Sequence, residues 1–205
     1  MVKKADIPGH LVDAALAAAA ERGWRSLSLD DIAEAAGLPL SKVYPVFRSK
    51  RAILDALARR VDEQVLAGQA KQWDAQDTPR DRLFDVLMRR IDALTPHKAG
   101  LAAIMRDAGR DPVAALSGMP RLLRSMSWML EAAGIDSTGP AGTLRTRGLA
   151  LIWLMTLRSW LADDSPDAAK TMAGLDARLR QADRWAATFT DRGGIAVGNQ
   201  VRADS

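Results

Sequence analysis

The chain has 205 residues, of which 48% are hydrophobic and 26% are charged, a composition that supports a folded core and excludes a disordered protein. The absence of cysteine excludes disulfides and thiolate metal sites. The net charge is only +4, but residues 1–60 carry ten Lys/Arg against seven Asp/Glu. A weakly basic N-terminal region on a near-neutral remainder is compatible with nucleic-acid binding.

Alanine, leucine and arginine dominate the composition, and β-branched and aromatic residues are scarce, which favours helices throughout. The N-terminal MVKKADIPGH lacks the apolar stretch of a secretory signal. The longest uncharged apolar run, over 148–157, would span about 15 Å as a helix, half of what a bilayer core requires. We therefore predict an all-α cytoplasmic protein with no membrane span.

Hydrophobic residues recur at helical spacing along most of the chain. The predicted helices cover residues 8–23, 28–36, 40–47, 51–73, 79–95, 98–109, 111–133, 141–161 and 167–189. We expect the helix over 111–133 to be kinked or interrupted at Met119-Pro120, because proline removes a helical hydrogen bond. The Gly-rich polar tail over 191–205 is expected to be disordered.

The second and third predicted helices are short and are joined by a tight turn. Ser28 is a good N-cap for the first of them, with Asp31 in its first turn. Gly37 ends that helix because glycine adopts the left-handed conformation at low cost. Pro39 suits the start of the next helix. Such a pair indicates a helix-turn-helix, whose second helix can lie in a DNA major groove.

The charge pattern of this segment agrees with DNA binding. Residues 37–51 contain four cations and no carboxylate, the cations being Lys42, Arg48, Lys50 and Arg51. Such a run suits a phosphate backbone, where affinity comes largely from counterion release. The alternative is a solvated basic loop beside an ordinary helical hairpin, and periodicity and charge alone do not separate the two.

The order IAEAAGLPLSKVYPVFRSKRAIL, with Gly23-Trp24 before it, resembles the signature of TetR-family transcriptional regulators. The matching residues are Ile32-Ala33, Ala36-Gly37, Tyr44, Phe47 and Ser49-Lys50. The resemblance implies an all-α homodimer of about nine helices per chain. It implies a three-helix DNA-binding head over residues 1–50 and a helical body over 51–190 that holds a small molecule and the dimer interface.

The resemblance also implies contacts with double-stranded DNA. Ser41, Lys42 and Tyr44, with Leu40 beside them, are expected at the major groove, and Arg25, Ser28 and Lys50 at phosphates. The sequence departs from the family at four positions, because regulators of this kind usually place polar residues where Pro39, Leu40, Pro45 and Val46 stand. These positions offer few donors to base edges.

In the body, seven of the eight methionines fall between Met88 and Met172, with tryptophans among them. Thioether side chains adapt to irregular apolar cavities, so we predict a site for a small apolar or lipid-like effector. The predicted lining is Phe84, Leu87, Met88, Ile91, Leu101, Met105, Leu122, Met126, Met129, Trp153 and Leu157. The alternative is that this methionine-rich set is ordinary core.

The predicted dimer interface is the apolar strip of the last helix together with one tryptophan of the helix before it. Its members are Trp160, Met172, Leu175, Leu179, Ala182 and Phe189. The segment with Arg147, Trp160-Leu161 and Asp163-Asp164-Ser165 is also similar to the lipid-binding proteins of ubiquinone biosynthesis, which share the TetR fold. A lipid-binding accessory protein with weak or lost DNA binding is therefore the alternative function.

Catalytic chemistry is poorly supported by the sequence. The two histidines, His10 and His97, lie far apart, and no phosphate loop, zinc pattern or nucleophile elbow is present. We therefore predict neither enzymatic activity nor a cofactor or metal.

Overall fold

The computed structural model describes residues 7–68, 73–74, 76–111 and 116–197, with the side chains of 166 and 186–197 excepted. These ranges contain nine α-helices and no strand. The helices are α1 (Ile7–Arg22), α2 (Leu29–Ala35), α3 (Leu40–Val43), α4 (Lys50–Ala67), α5 (Pro79–Leu94), α6 (Lys98–Ala108), α7 (Met119–Ala132), α8 (Gly139–Leu161) and α9 (Ala169–Val197). The predicted all-α class is confirmed.

The turn between α2 and α3 has the geometry that the sequence predicted. Gly37 has a φ of +64°, and its N–H donates to the Glu34 carbonyl at 2.9 Å. The Leu38 N–H donates to the Ala33 carbonyl, also at 2.9 Å. This is a Schellman motif, which satisfies the last carbonyls of α2 and reverses the chain towards α3.

Helix α3 is much shorter than predicted. It ends at Val43 instead of continuing to Phe47, with Tyr44 as its C-cap. Pro45 has no N–H to donate to the carbonyl four residues earlier, so the α-helical ladder cannot continue through it. The chain stays in turns, and the Phe47 N–H still reaches the Val43 carbonyl at 2.8 Å.

Several helix ends follow their capping residues. The Thr78 hydroxyl accepts the Asp81 N–H at 3.2 Å, and Pro79 begins α5 as predicted. Helix α7 starts at Met119, so the predicted interruption of the longer helix is confirmed. Helix α4 ends at Ala67, and its predicted continuation to Trp73 crosses residues 69–72, which lie outside the described residues.

The corner between α8 and α9 is closed by Asp163, which is 5% exposed. One carboxylate oxygen accepts the Thr171 N–H at 2.8 Å and its hydroxyl at 2.7 Å. The other oxygen accepts from the Ser165 N–H and hydroxyl. Asp167 and Ala168 have positive φ angles, so α9 begins at Ala169 after a short turn.

The last helix also ends later than predicted. Backbone helix continues to Val197, past residue 191 where the disordered tail was expected to begin. The rest of that predicted tail, residues 198–205, lies outside the described residues.

Head and body share a continuous packing surface. Helix α1 lies along α6, and the two approach most closely at Gly100. A Cβ on Gly100 would stand 2.4 Å from the Leu16 carbonyl oxygen, closer than any real side chain is found. One core cluster runs from Leu11 in α1 to Leu179 in α9. The chain therefore packs the head directly against the body.

Candidate nucleic-acid interface

Helix α3 is anchored by one apolar side and presents the other to solvent. Val43 is fully buried and Phe47 is 4% exposed, whereas Tyr44 is 63% and Leu40 is 45% exposed. Ser41 and Lys42 are exposed as well. The four residues predicted to meet the major groove therefore share one outward surface, which we call the reading face (Leu40, Ser41, Lys42, Tyr44).

The structure adds Arg48 to this surface. Its guanidinium carbon lies 5.6 Å from the centre of the exposed Tyr44 ring, at a distance typical of a cation–π contact. Arg48 is itself exposed. Arg48 is one of the four cations of residues 37–51 and was not among the predicted DNA-contacting residues. The contact places a positive charge at the edge of the reading face.

Ser28 acts as a helix cap in the folded chain. Its hydroxyl accepts the Asp31 N–H at 3.0 Å and donates its own hydrogen to the Asp31 carboxylate at 2.5 Å. The Ser28 N–H donates to the same carboxylate at 2.7 Å, which completes a capping box. Because phosphate oxygens only accept, Ser28 has no hydrogen left to offer one without breaking this cap.

The Ser28 hydrogen bond is also the main reason why the pKa of Asp31 lies below its usual range, with Arg22 adding a smaller effect. The Arg22 guanidinium lies 3.0 Å from the Asp31 carboxylate. The start of α2 is therefore tied to the end of α1.

Lys50 is also committed within the head. Its Nζ donates to the carbonyls of Trp24 at 2.8 Å, Leu27 at 2.5 Å and Arg25 at 3.3 Å. The ammonium also lies 5.3 Å from the centre of the Trp24 ring. An ammonium has three hydrogens, and three carbonyls take them. Lys50 therefore closes the loop before α2 and leaves no hydrogen for a phosphate.

The same loop is held from the body. The Asp107 carboxylate on α6 accepts the backbone N–H of Arg25 at 2.8 Å. Burial lowers the pKa of Lys50, and the nearby carboxylates of Asp107 and Asp31 partly oppose that effect. Lys50 and Asp107 thus both bond the backbone of residues 24–27, while the Arg25 side chain stays exposed.

The two histidines contact residues on other helices, one within the head and one between α4 and the start of α6. A ring nitrogen of His10 lies 2.9 Å from the Ala36 carbonyl and satisfies the end of α2. At the start of α6, His97 Nε2 lies 2.9 Å from an Arg60 nitrogen on α4. Arg60 also forms a 2.8 Å ion pair with Asp13 on α1. The sequence could not place these contacts, because each joins residues that are distant along the chain.

Comparisons with known proteins agree with this geometry. Residues 11–57 match the sequence profile of the family described as bacterial regulatory proteins, tetR family. The HTH-type transcriptional repressor KstR2 of Mycobacterium tuberculosis is 31% identical over 113 residues, which are 55% of this chain and 54% of that protein. The chain thus spans about half the length of the curated relatives it matches.

Solved structures extend the likeness over nearly the whole chain. A TetR transcriptional regulator from Nitrosomonas europaea superposes with a TM-score of 0.70 at 24% identity, covering 86% of this chain and 98% of that one. A TetR transcriptional regulator from Rhodococcus sp. RHA1 gives 0.53 at 19% identity, covering 83% and 93%. Residues 11–57 therefore match the tetR family, and the chain has a TetR-like fold. These comparisons do not favour the alternative of a lipid-binding accessory protein.

The residues predicted to line an effector site in the TetR-like body fall into two groups. Six are buried in the common core: Leu87, Ile91, Met126, Met129, Trp153 and Leu157. Five are half-buried and pack against that core: Phe84, Met88, Leu101, Met105 and Leu122. All eleven therefore lie in or against the core, and their role as an effector site stays a prediction.

The predicted dimer residues occupy less accessible places than expected. Trp160, Leu175 and Leu179 are between 0% and 4% exposed and belong to the core of the single chain. Met172 is half-buried, Ala182 is exposed, and the Phe189 side chain lies outside the described residues. The alternating apolar residues therefore mark the face of α9 that packs against α8 within one chain.

A different surface of α8 is apolar and open. Leu144, Leu151 and Met155 are 72%, 63% and 47% exposed. Their spacing of seven and four residues puts them on one face of the helix, which we call the α8 stripe (Leu144, Leu151, Met155). Among the residues that the structure describes, no group of three or more His, Asp or Glu could hold a metal ion, and no helix could cross a membrane.

Proposed function

We propose that this chain is a dimeric transcriptional regulator of the repressor type, which binds double-stranded DNA through the reading face and is released by a small effector. The observation that carries the proposal is the reading face itself. Exposed Lys42 and Tyr44 stand on a short helix whose other side is fixed by buried Val43. Such a regulator would act on DNA in the cytoplasm.

The exposed cations define how this head would approach a duplex. Arg25, Lys42 and Arg48 are all exposed, and none of the three shares an ion pair with a carboxylate among the described residues. Phosphate contacts fix register and orientation, while base-edge contacts supply sequence choice. We assign Arg25 and Arg48 to phosphates, and Ser41, Lys42 and Tyr44 to the groove.

The proposed dimer rests on the α8 stripe. One side of α8 already fills the core with Trp153, Leu157 and Trp160, so the exposed stripe has no cover within the described part of the chain. Two copies related by a twofold axis would cover it with the same surface from the partner. A dimer would set the two reading faces against half-sites about 34–36 Å apart, the usual spacing of one helical turn.

The proposed effector would act through the two connections between body and head. Helix α4 begins at Lys50, which holds the loop before α2, and α6 holds that loop through Asp107. A ligand that packs against the half-buried Phe84, Met88 or Met105 would displace α5 or α6. Displacement of α6 would be passed to the head and would change the spacing of the two reading faces.

The test is a salt titration of DNA binding, followed by fluorescence anisotropy, with the promoter region flanking the gene and with a random duplex of equal length. We expect tighter binding to the promoter duplex at moderate salt. Equal affinity for both duplexes would contradict the proposal. Tyr44→Ala should reduce the preference for the promoter, whereas the matched change Lys170→Ala on exposed α9 should leave it unchanged.

A further inference from the structure

A charged cleft lies between α4 and α7, outside the predicted apolar site. It has a volume of about 130 Å³. Its lining consists of Asp55, Ala58, Arg59 and Asp62 from α4 and Arg121, Arg124 and Ser125 from α7. Five of these seven side chains carry a charge, three of them positive, so the cleft differs in chemistry from the methionine-rich core behind it.

Both carboxylates of the cleft are already engaged. Asp55 forms an ion pair with Arg121 across the cleft. Asp62 forms an ion pair with buried Arg90 and accepts the Ser125 hydroxyl at 2.5 Å. Neither carboxylate is therefore free to neutralise a further cation.

The remaining two arginines of the cleft have a different status. Arg59 and Arg124 are exposed, one on each wall. Within the described ranges, neither guanidinium has a hydrogen bond or an ion pair. Because both carboxylates of the cleft are already paired, the N–H donors of Arg59 and Arg124 have no acceptor there.

Arg90 connects the cleft with the core. It is only 5% exposed, and its guanidinium carbon lies 5.1 Å from the centre of the Trp153 ring. One of its nitrogens also approaches the Met129 sulfur at 3.9 Å. Its buried Nε has no hydrogen-bond partner among the described residues. Arg90 thus contacts both Asp62 of the cleft and two residues of the predicted effector site, Met129 and Trp153.

We propose that the cleft binds an oxyanion group, a phosphate or a carboxylate, carried by the effector and held by Arg59, Arg121 and Arg124. This inference rests on the proposed ligand-responsive function and makes the effector amphipathic instead of purely apolar. Guanidinium groups suit oxyanions because they offer paired N–H donors in a planar fork. Drug-sized ligands need about 300–1,000 Å³, so this cleft takes only the charged end of the molecule.

The position of the cleft gives the bound anion a route to the head. Arg59 lies on α4 and Arg124 on α7, so an oxyanion between them would draw the two helices together. Helix α4 begins at Lys50, beneath the loop that carries Arg25. A shift of α4 towards α7 would therefore move the support of the reading face.

The experiment measures anion binding without DNA. The probes are inorganic pyrophosphate and citrate at millimolar concentration, compared with chloride at equal ionic strength, using thermal unfolding and isothermal titration calorimetry. The variants are the double substitution Arg59→Gln/Arg124→Gln and a matched control, Arg106→Gln, on exposed α6. Arg121 is left in place because it pairs with Asp55.

We expect pyrophosphate or citrate to raise the Tm of the wild type and of Arg106→Gln, and the double variant to lose at least tenfold in affinity. A stronger effect of pyrophosphate identifies a phosphate source, and a stronger effect of citrate a carboxylate source. Equal shifts in all three proteins, or no shift beyond chloride in the wild type, would overturn the proposal.

The DNA readout keeps this test separate from the proposed function. The double variant should bind the promoter duplex normally in the absence of anion, because neither arginine belongs to the head. Loss of DNA affinity in the anion-free double variant would count against a ligand site and in favour of a direct role in DNA binding. A different result would be a wild type that shows no preference for the promoter and still binds pyrophosphate through the cleft. That result would contradict the proposed regulator function and leave the anion site in place.

Discussion

The carboxylate of Asp107, in the body, accepts the backbone N–H of Arg25, in the head, at 2.8 Å. This hydrogen bond joins α6 to the loop before the helix-turn-helix, which Lys50 also holds. Because a backbone group is held, the contact fixes the path of the chain and leaves the Arg25 side chain free. Motion of α6 is therefore coupled to the position of one exposed cation of the head.

The first prediction concerns this contact. Asp107→Ala should increase the hydrogen-exchange rate of the Arg25 amide strongly and lower the free energy of unfolding by about 1 kcal/mol, the typical net value of one such bond. Exchange followed by NMR and urea denaturation provide the measurements. Asp107→Asn is the control, because its amide oxygen can still accept. Equal effects of the two changes would show that the charge of Asp107, not its hydrogen bond, is what matters.

The second prediction separates a cation that is bonded inside the head, Lys50, from one proposed to contact a DNA phosphate, Arg48. Lys50→Met should lower the free energy of unfolding by about 1–3 kcal/mol, because three backbone carbonyls lose a charged donor. It should leave the slope of log K against log salt unchanged. Arg48→Met, at an exposed cation assigned to a phosphate, should do the reverse, reducing that slope by about 0.9 per subunit and about 1.8 for the proposed dimer. A reduced slope in Lys50→Met would restore Lys50 as a phosphate contact.

The third prediction tests the close approach of α1 and α6. Gly100→Ala places a Cβ against the backbone of Leu16, which cannot move without shifting α1, so we expect a loss of about 1–3 kcal/mol in the free energy of unfolding. Gly174→Ala is the matched control, since its nearest neighbour is the flexible end of Arg178. Urea denaturation of both variants measures the two free energies of unfolding. An unaffected Gly100→Ala would mean that the helices are less tightly packed than the structure indicates.

The fourth prediction concerns pH. Burial lowers the pKa of His97 below its ordinary 6.5, Arg60 lowers it further, and Asp13 opposes both. The unfolded chain then binds a proton more readily than the native one, so stability is fully present above pH 6.5 and falls as the pH drops from 6.5 to the native pKa. Urea denaturation at several pH values measures this loss.

The control for the pH prediction is the other histidine. His97→Gln should abolish the loss of stability just below pH 6.5, whereas His10→Gln should retain it. The His10 ring lies 2.9 Å from the Ala36 carbonyl and takes no part in the contact between His97 and Arg60. If His97→Gln kept the same pH dependence, another group would have to be responsible.

The fifth prediction addresses the α8 stripe. Leu151→Glu introduces a charge into the centre of the proposed twofold contact, and a buried unpaired carboxylate is strongly unfavourable. We expect a monomer by analytical ultracentrifugation, and loss of promoter affinity because half-sites would then be bound singly. Leu116→Glu is the control, as Leu116 is similarly exposed at 67% but lies outside the stripe. A dimer that survives Leu151→Glu would place the interface elsewhere.

Much of the helical fold was predictable from local signals in the sequence. Ser28 with Asp31, Gly37, and Thr78 with Pro79 each fix a helix end through contacts within a few residues, and each was found as predicted. The length of α3 was the main local error. The prediction extended helical periodicity to Phe47, whereas the helix ends at Val43, before Pro45.

The roles of polar side chains were harder to predict because their partners are distant in sequence. Lys50 bonds residues more than twenty positions earlier, and Asp107 reaches a residue 82 positions away. A basic motif indicates charge but does not tell which cations are already bonded. Likewise the apolar strip of α9 showed that one face is covered, but not that the cover comes from the same chain.

In the proposed regulator, the brevity of α3 would limit how much DNA sequence a single subunit can read. Four residues rise about 6 Å along the helix, which is less than two base-pair steps of about 3.4 Å. Each copy would thus specify only a few base pairs, far fewer than are needed to define a unique site in a bacterial chromosome. The missing information would have to come from the inverted second half of the operator, so a search for target genes should look for short palindromes with a fixed gap and tolerate variation elsewhere.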